Sequence, residues 1–407
     1  MEYRTIEELA YVIQQAKKAG QPQPIFFLGA GVSKTGGIPL ANEIIKDILE
    51  KYKDSPFIKK LKDEDKNYVQ LMNCLQAYER NELLKGYIDN AKINVTHIYL
   101  AQLLHSSYVD YILSVNFDNL MLRALSLYNE FPATYDMAIL KDLTTSTIKE
   151  KSVVYLHGKH DGLWLLNTED EMAKVGDILP RIFDSIKNKR PWVVIGYSAS
   201  DPVFEHIKNL GRFDHDLYWV GYKDSEPNAN VKSFLNTKNT NAYFIKGYDS
   251  DSFMLKLNEE LGLDQPIIMD KPFSSLKNML GEINDIDEDK HFKGVKDRLE
   301  IAKKNVDIAI QQFEKNKVVT IDPNELSIDK LKKEIIELTI SEEYDIEKIK
   351  LIEEKLNKFN DNSINDSLSD LYFNWGNALG DLAEMKEGAE AESLFLESID
   401  KYKRVID

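Results

Sequence analysis

Ile25-Phe26-Phe27-Leu28-Gly29-Ala30-Gly31-Val32-Ser33 runs four apolar residues straight into a turn built on two glycines. A short apolar run of this kind reads as a strand buried on both faces. Glycines at its carboxyl end let the backbone turn sharply and allow a phosphate to come close. Gly36-Gly37-Ile38-Pro39 follows, and a helix begins near Ala41, whose positive end would add a favourable dipole. Taken alone, the same pattern serves equally well as a tight strand-to-loop turn with no ligand, and the usual three-glycine dinucleotide fingerprint is not met.

Working outward, five more β-rich apolar runs occur at residues 108–115, 153–156, 192–196, 217–220 and 242–245. Helix-length stretches separate them. Strands alternating with helices predict a Rossmann-like, doubly wound parallel sheet, an α/β fold. Residues 55–104 interrupt this rhythm with helical spacing, as in Leu71, Leu75 and Tyr78, and read as an inserted helical lobe. The texture changes between residues 265 and 290, where prolines and an acidic run intervene. The sequence thus divides into a catalytic domain over 1–270, a linker over 271–290 and an all-α domain over 291–407. In the last of these, Leu368, Leu371, Tyr372, Trp375 and Leu379 share one helical face, and Leu394, Phe395, Ile399 and Tyr402 share another. A helical hairpin of that form is similar to a tetratricopeptide unit, which cannot bury its own apolar face and so implies stacking or assembly.

Composition narrows the function classes. A net charge of −16 argues against broad nucleic-acid binding, which depends on basic side chains neutralising phosphates. No apolar run approaches the roughly 20 residues of a membrane span, and the first twenty residues read as an amphipathic helix rather than a secretory signal. Cys74 is the single cysteine, so an intrachain disulfide is excluded and a cysteine-type zinc site is not expected. A cytoplasmic setting follows as the expectation.

Three other strand ends carry polar groups. Ser114-Val115-Asn116-Phe117-Asp118 follows the second apolar run, where side chains project into the crevice at which such sheets bind ligands. Asn116 and Asp118 also suit the cap of the helix that follows, with Asp118 or Asn119 the better capping residue. Val153-Val154-Tyr155-Leu156-His157-Gly158 puts an imidazole at the same edge; a lone histidine in that place is more often structural than catalytic. Finally, Trp192-Val193-Val194-Ile195-Gly196-Tyr197-Ser198-Ala199-Ser200-Asp201-Pro202 runs a buried strand into a small-residue loop suited to a phosphate or a ribose.

In this order the four strings resemble the sirtuin family: Gly-Ala-Gly-Val-Ser with Gly-Ile-Pro, then Asn-x-Asp, then Leu-His-Gly, then a Gly-Tyr-Ser-x-x-Asp-Pro element. The last is similar to that of bacterial sirtuin-like NAD hydrolases. The resemblance spans about residues 20–205. It departs from the family's deacylases in three respects. Val115 replaces the usual Gln, the two Cys-x-x-Cys zinc pairs are missing, and Leu40-Ala41-Asn42 stand where Asp-Phe-Arg is common. What the resemblance implies is NAD as substrate without a metal, cleaved to nicotinamide and ADP-ribose, in an NAD-depleting effector of anti-phage defence. It implies Asn116, His157 and Asp118 as catalytic residues. Gly29, Ala30, Gly31 and Ser33 would cradle the pyrophosphate, and Gly196, Ser198 and Asp201 would shape the adenosine side. His157 is expected to be a general base with an ordinary imidazole pKa. A homo-oligomer, and a phage-derived trigger or companion acting through the helical tail, are the expected partners. The rival readings are an NAD-dependent protein deacylase and a non-catalytic NAD or ADP-ribose sensor.

Overall fold

The computed structural model describes residues 1–139, 148–160, 166, 171, 173, 176–283, 295–318, 372–373, 375–377, 379, 383 and 389–406. These fall into two compact units, Met1–Leu299 and Glu300–Asp407.

The first unit opens with β1 (Glu2–Tyr3), α1 (Ile6–Lys18) and β2 (Ile25–Leu28). Helices α2 (Ala41–Lys51), α3 (Tyr68–Asn73), α4 (Ala77–Asn90) and α5 (Val95–His105) separate β2 from β3 (Tyr111–Ser114). Next come α6 (Leu120–Ser126), β4 (Ala133–Asp136), β5 (Ser152–Tyr155), α7 (Leu179–Ile186) and β6 (Trp192–Ile195). The alternation ends with α8 (Val203–Asn209), β7 (Leu217–Val220), α9 (Ala229–Leu235), β8 (Ala242–Ile245) and α10 (Ser250–Glu260). Two short helices follow: α11 (Ile267–Asp270), at the end of the stretch read from sequence as the catalytic domain, and α12 (Pro272–Gly281), in the stretch read as the linker.

All eight strands are parallel, in the order β1-β8-β7-β6-β2-β3-β5-β4. Six of them are the six apolar runs of the sequence. Those runs are continuous because both faces of each strand are buried. Ile25, Phe27, Trp192, Val194, Leu113 and Val154 face one side, packed with Ile182 and Phe183 of α7, Phe204 of α8 and Phe234 of α9. Phe26, Leu28, Val193, Ile195, Ile112 and Val153 face the other, packed with Leu9 and Ile13 of α1, Leu100 and Leu104 of α5, Ala124 of α6 and Phe253 and Leu257 of α10. Helices on both faces make the sheet doubly wound, as expected. The two strands that the apolar pattern missed, β1 and β4, are the two edges. β1 has only two residues, and β4 alternates half-buried and exposed positions, so neither needs an apolar run.

The helices between β2 and β3 divide into two groups. Ile44 and Ile48 of α2, Leu71 and Met72 of α3 and Leu83 and Leu84 of α4 form a core of their own, joined by Ile58 and Leu75. This lobe therefore begins earlier than residue 55. It also ends earlier than 104, because α5 belongs to the sheet: its Leu100, Leu103 and Leu104 are fully buried there.

The second unit contains most of α13 (Val295–Val318) and α14 (Ala389–Ile406). Much of the hairpin expected over 368–402 lies outside the described residues. Those that are described do touch: Ser398 Oγ donates to Gly376 O (2.8 Å), Tyr402 Oη donates to Asn377 Oδ1 (2.6 Å), and the Lys401 ammonium sits 4.0 Å from the centre of the Trp375 ring.

Candidate active site

Strand order reverses at β2. The chain from β2 leads to β3 and β5 on one side, while β6, β7 and β8 lie on the other. At such a switch point the loops leaving neighbouring strands diverge to opposite faces and open a crevice at the carboxyl edge. Here the two loops, Gly29–Ser33 after β2 and Gly196–Asp201 after β6, do not diverge at their bases. They meet backbone to backbone. Gly31 N–H donates to Gly196 O (2.9 Å). A Cβ on Gly29 would lie 2.5 Å from Gly196 O and from Tyr197 Cα, and one on Gly196, at φ +63°, would lie 2.6 Å from Val32 N. The sequence assigned these glycines to a close-approaching pyrophosphate. In the structure it is the second glycine loop that fills the space a side chain would need, and the Gly31 N–H is committed to it. Ala30 is the exposed member of the first loop.

The loop after β2 is fixed from its other side by β3. Asn116 is buried, and its Nδ2 donates to Gly29 O (3.0 Å) and Ser33 Oγ (3.2 Å). Ser33, fully buried, donates onward to Asp118 Oδ2 (2.7 Å), while Asp118 Oδ1 accepts from Leu120 N–H (3.1 Å) at the start of α6. Asp118 thus supplies the side-chain cap; Asn119, at the N-cap position itself, makes no side-chain capping bond. The hydroxyl of Ser33, expected from sequence to contact the pyrophosphate, is enclosed here and donates to Asp118.

Sequence reasoning did not find the next layer. Asn94 Nδ2 donates to Val32 O (2.6 Å) and Thr35 Oγ1 (2.7 Å), and Asp251 on α10 accepts from Thr35 Oγ1 (2.6 Å) and Thr96 N–H (2.8 Å). His97, beside Asn94, is almost fully enclosed; burial pushes its imidazole below the ordinary range, with Asp118 and Asp251 opposing. The one available signal was Asn94-Val95-Thr96-His97 ahead of an apolar helix, which marks an N-terminus but not its partners.

His157 stands on β5, next to β3 in the sheet. Ser114 pairs with Tyr155, and Asn116 and His157 each lie two residues past that pair. The Asn116 and His157 positions are therefore neighbours on one edge. The imidazole is 17% exposed, yet its Nε2 is enclosed and has no hydrogen-bond partner among the described residues. A buried polar atom in that state is open to a water, a ligand or a proton-transfer role. Nε2 lies 3.8 Å from Asp201 Oδ1. Burial holds the imidazole pKa below its ordinary value, partly offset by Asp201, which replaces the unshifted imidazole expected from sequence. Asp201 is itself tied down: its Oδ1 accepts from Tyr197 Oη (3.0 Å) and Val203 N–H (2.9 Å). The Tyr197 ring is wedged between Phe27 (4.8 Å between centroids) and Trp219 (5.7 Å, stacked), so the core of the sheet fixes the phenol.

Ser198 is exposed at the rim, with its Oγ 3.0 Å from Ser200 Oγ. Asn228, at the start of α9, donates to Ser198 O, and Ala199 holds a left-handed φ of +55°. Strain of that kind persists only where its surroundings impose it. A surface pocket of about 380 Å³ lies elsewhere, on the helical lobe among Tyr52, Phe57, Cys74 and Glu79, and none of the motif residues lines it. Among the described residues no group of three or more His, Cys, Asp or Glu side chains could hold a metal ion, and no helix is long and apolar enough to cross a membrane.

Residues 110–243 match the family described as a SIR2-like domain. A search of curated proteins finds no match. Among solved structures, the chain is similar to a Sir2 mutant with a p53 peptide and NAD, at 15% identity and a TM-score of 0.36, covering 64% of this chain and 99% of that one. It is similar also to Sir2 bound to an inhibitor, 2′-O-acetyl-ADP-ribose and a deacetylated p53 peptide, at 16% identity and a TM-score of 0.35, covering 60% of this chain and 95% of that one. The fold assignment rests on the strand order and the two buried faces described above.

Proposed function

We propose that this protein hydrolyses NAD at the nicotinamide–ribose bond, giving nicotinamide and ADP-ribose. The observation that carries the reading is the meeting, at one carboxyl edge beside the switch point, of Asn116, the enclosed Nε2 of His157, without a hydrogen-bond partner among the described residues, and two touching glycine loops. The SIR2-like match over residues 110–243 and the order of the four sequence motifs support it. A dinucleotide brings a leaving group that is already cationic, so little acid assistance is needed.

The protein's task is then orientation, charge stabilisation and placement of water. Asn116, whose amide is anchored to the first loop, orients the ribose hydroxyls and the attacking water. His157 accepts a proton from a ribose hydroxyl or from that water; its lowered pKa keeps it neutral, and so able to accept, at pH 7. Asp118 acts through its hold on Ser33 and its negative charge beneath the ribose. Ala30, the exposed member of the first loop, faces the pyrophosphate, with Gly29 and Gly31 shaping the turn against Gly196 behind it, and Ser198 borders the adenosine side.

The test is nicotinamide release from NAD by the purified full chain with no acyl-lysine peptide present. Turnover under those conditions supports hydrolysis. Turnover that appears only with the peptide assigns the chain to protein deacylation, and NAD binding without turnover under either condition, triggered or not, makes it a sensor. The resemblance to anti-phage effectors extends the reading: the helical unit receives the trigger or mediates homo-oligomerisation, and NAD depletion is the output.

A further inference from the structure

Asp201 was assigned from sequence to the adenosine side, but its surroundings point elsewhere. Two strands, β2 and β3, lie between β6, which leads into its loop, and β5, and still its Oδ1 reaches within 3.8 Å of His157 Nε2. That oxygen is held by two donors, the Tyr197 hydroxyl from its own loop and the Val203 N–H at the start of α8. It is a preset carboxylate facing an imidazole nitrogen that has no other partner among the described residues.

We propose that Asp201 is the positioning residue for His157: it faces the Nε2–H, fixes that tautomer, and leaves Nδ1 as the nitrogen that takes the proton. The proposal rests on the hydrolase reading for its catalytic meaning, but the pairing itself is a property of the protein without substrate.

At 3.8 Å the two atoms are just beyond hydrogen-bond distance, and catalytic hydrogen bonds in ligand-free sites commonly tighten on binding. The proton balance is simple. As the glycosidic C–N bond breaks, its electron pair leaves with nicotinamide. Water supplies the new C–O bond and gives one proton to Nδ1. The imidazolium keeps its Nε2 proton beside the Asp201 carboxylate, and the transferred proton then passes to solvent. A second carboxylate would compete for this role, so the other charged groups at the edge matter. Asp118 after β3 is occupied by Ser33 and Leu120 N–H; Asp136 at the end of β4 accepts from Ala138 N–H; Lys159 and His160 follow the histidine on its own segment; Tyr197 is bound to Asp201. Among these, Asp201 is the group whose charge acts on the imidazole, raising its proton affinity against the effect of burial.

The experiment is histidine-selective NMR of the full chain, wild type and Asp201→Asn, read across pH, alongside the pH profile of nicotinamide release. Wild-type His157 should show the Nε2-protonated tautomer. In Asp201→Asn the His157 midpoint should fall by roughly one pH unit, the lower end for loss of an opposite charge at this range. The acidic limb of kcat should move by the same amount in the same direction, with KM within about threefold, and Asp201→Glu should restore much of the shift. A wild-type Nδ1-protonated tautomer overturns the proposal even if the asparagine variant fails to fold, and so does an unmoved midpoint in a folded variant. A shifted midpoint in a protein that never releases nicotinamide would retain the pairing and reject the hydrolase.

Discussion

Asn116 and His157 occupy equivalent places on neighbouring strands, yet their surroundings are opposite. The Asn116 side is closed: its amide, Ser33 and Asp118 exchange hydrogen bonds in a buried chain that ends on the α6 backbone. The His157 side is open: a buried nitrogen lacks a bond among the described residues, and a carboxylate waits just out of reach. A satisfied buried network defines geometry, whereas an unsatisfied atom costs stability unless a ligand or a reaction uses it. One strand end holds the site in shape, and the other is prepared to change its state.

This contrast can be broken most directly at His157. His157→Ala should lower nicotinamide release by ~100-fold or more, the lower edge for a positioned proton acceptor. Its urea midpoint should move less than that of Asn116→Ala. Equal losses of stability in the two variants would erase the distinction. Asn116→Ala should lose activity to a similar degree and, in addition, cost about 0.5–1.5 kcal/mol of stability for each buried hydrogen bond it removes, those to Gly29 O, which keeps its second donor in the Val32 N–H (3.1 Å), and to Ser33 Oγ. Equilibrium unfolding in urea reads that cost.

Acid sharpens the comparison further. The native pKa values of His157 and His97 are depressed by burial, so on acidification the unfolded chain takes up their protons first. Stability is therefore complete above the ordinary imidazole value of about 6.5 and declines as pH falls below it, until the native groups also protonate. Unfolding curves between pH 7.5 and 5 should show this decline, smaller in His157→Ala and undiminished in Asn116→Ala. The smallest effect is expected at the rim: Ser198→Ala, at an exposed hydroxyl, should stay within about 0.5 kcal/mol of wild type. A large loss there would mean that the rim contributes to the site's architecture.

Much of the sheet was legible because its central strands are buried on both faces and so are written as apolar runs. The edges β1 and β4 were not, since a strand with one exposed side carries no such mark. The helical lobe was visible as helical spacing; α5, packed on the sheet, differs from α4 in being apolar nearly all round, with eight of its eleven residues buried against three of fourteen, but the spacing alone did not show which core each helix joins. At the site, sequence order brought Asn116, His157 and both glycine loops to one edge. It did not disclose what each touches. Gly29 and Gly196 were read as separate contacts to a ligand, although they need each other's absence of side chain. Asp201 was read by its position in a motif, whereas its surroundings depend on a loop crossing above the strand ends. Pairings between segments dozens of residues apart leave no trace in periodicity or composition.

The aromatic stack beneath the second glycine loop has an optical consequence. Trp219 stacks on Tyr197 at an interplanar angle of 28°, and the Tyr197 hydroxyl donates to the carboxylate beside His157. Any molecule that draws that carboxylate toward the imidazole pulls on the phenol and alters the environment of the indole, so the protein carries its own fluorophore at the floor of the crevice. Emission from Trp219, isolated by replacing the other tryptophans with phenylalanine, would follow occupancy without an attached dye, and a flat signal during binding measured by calorimetry would show that the stack is insulated from the edge above it.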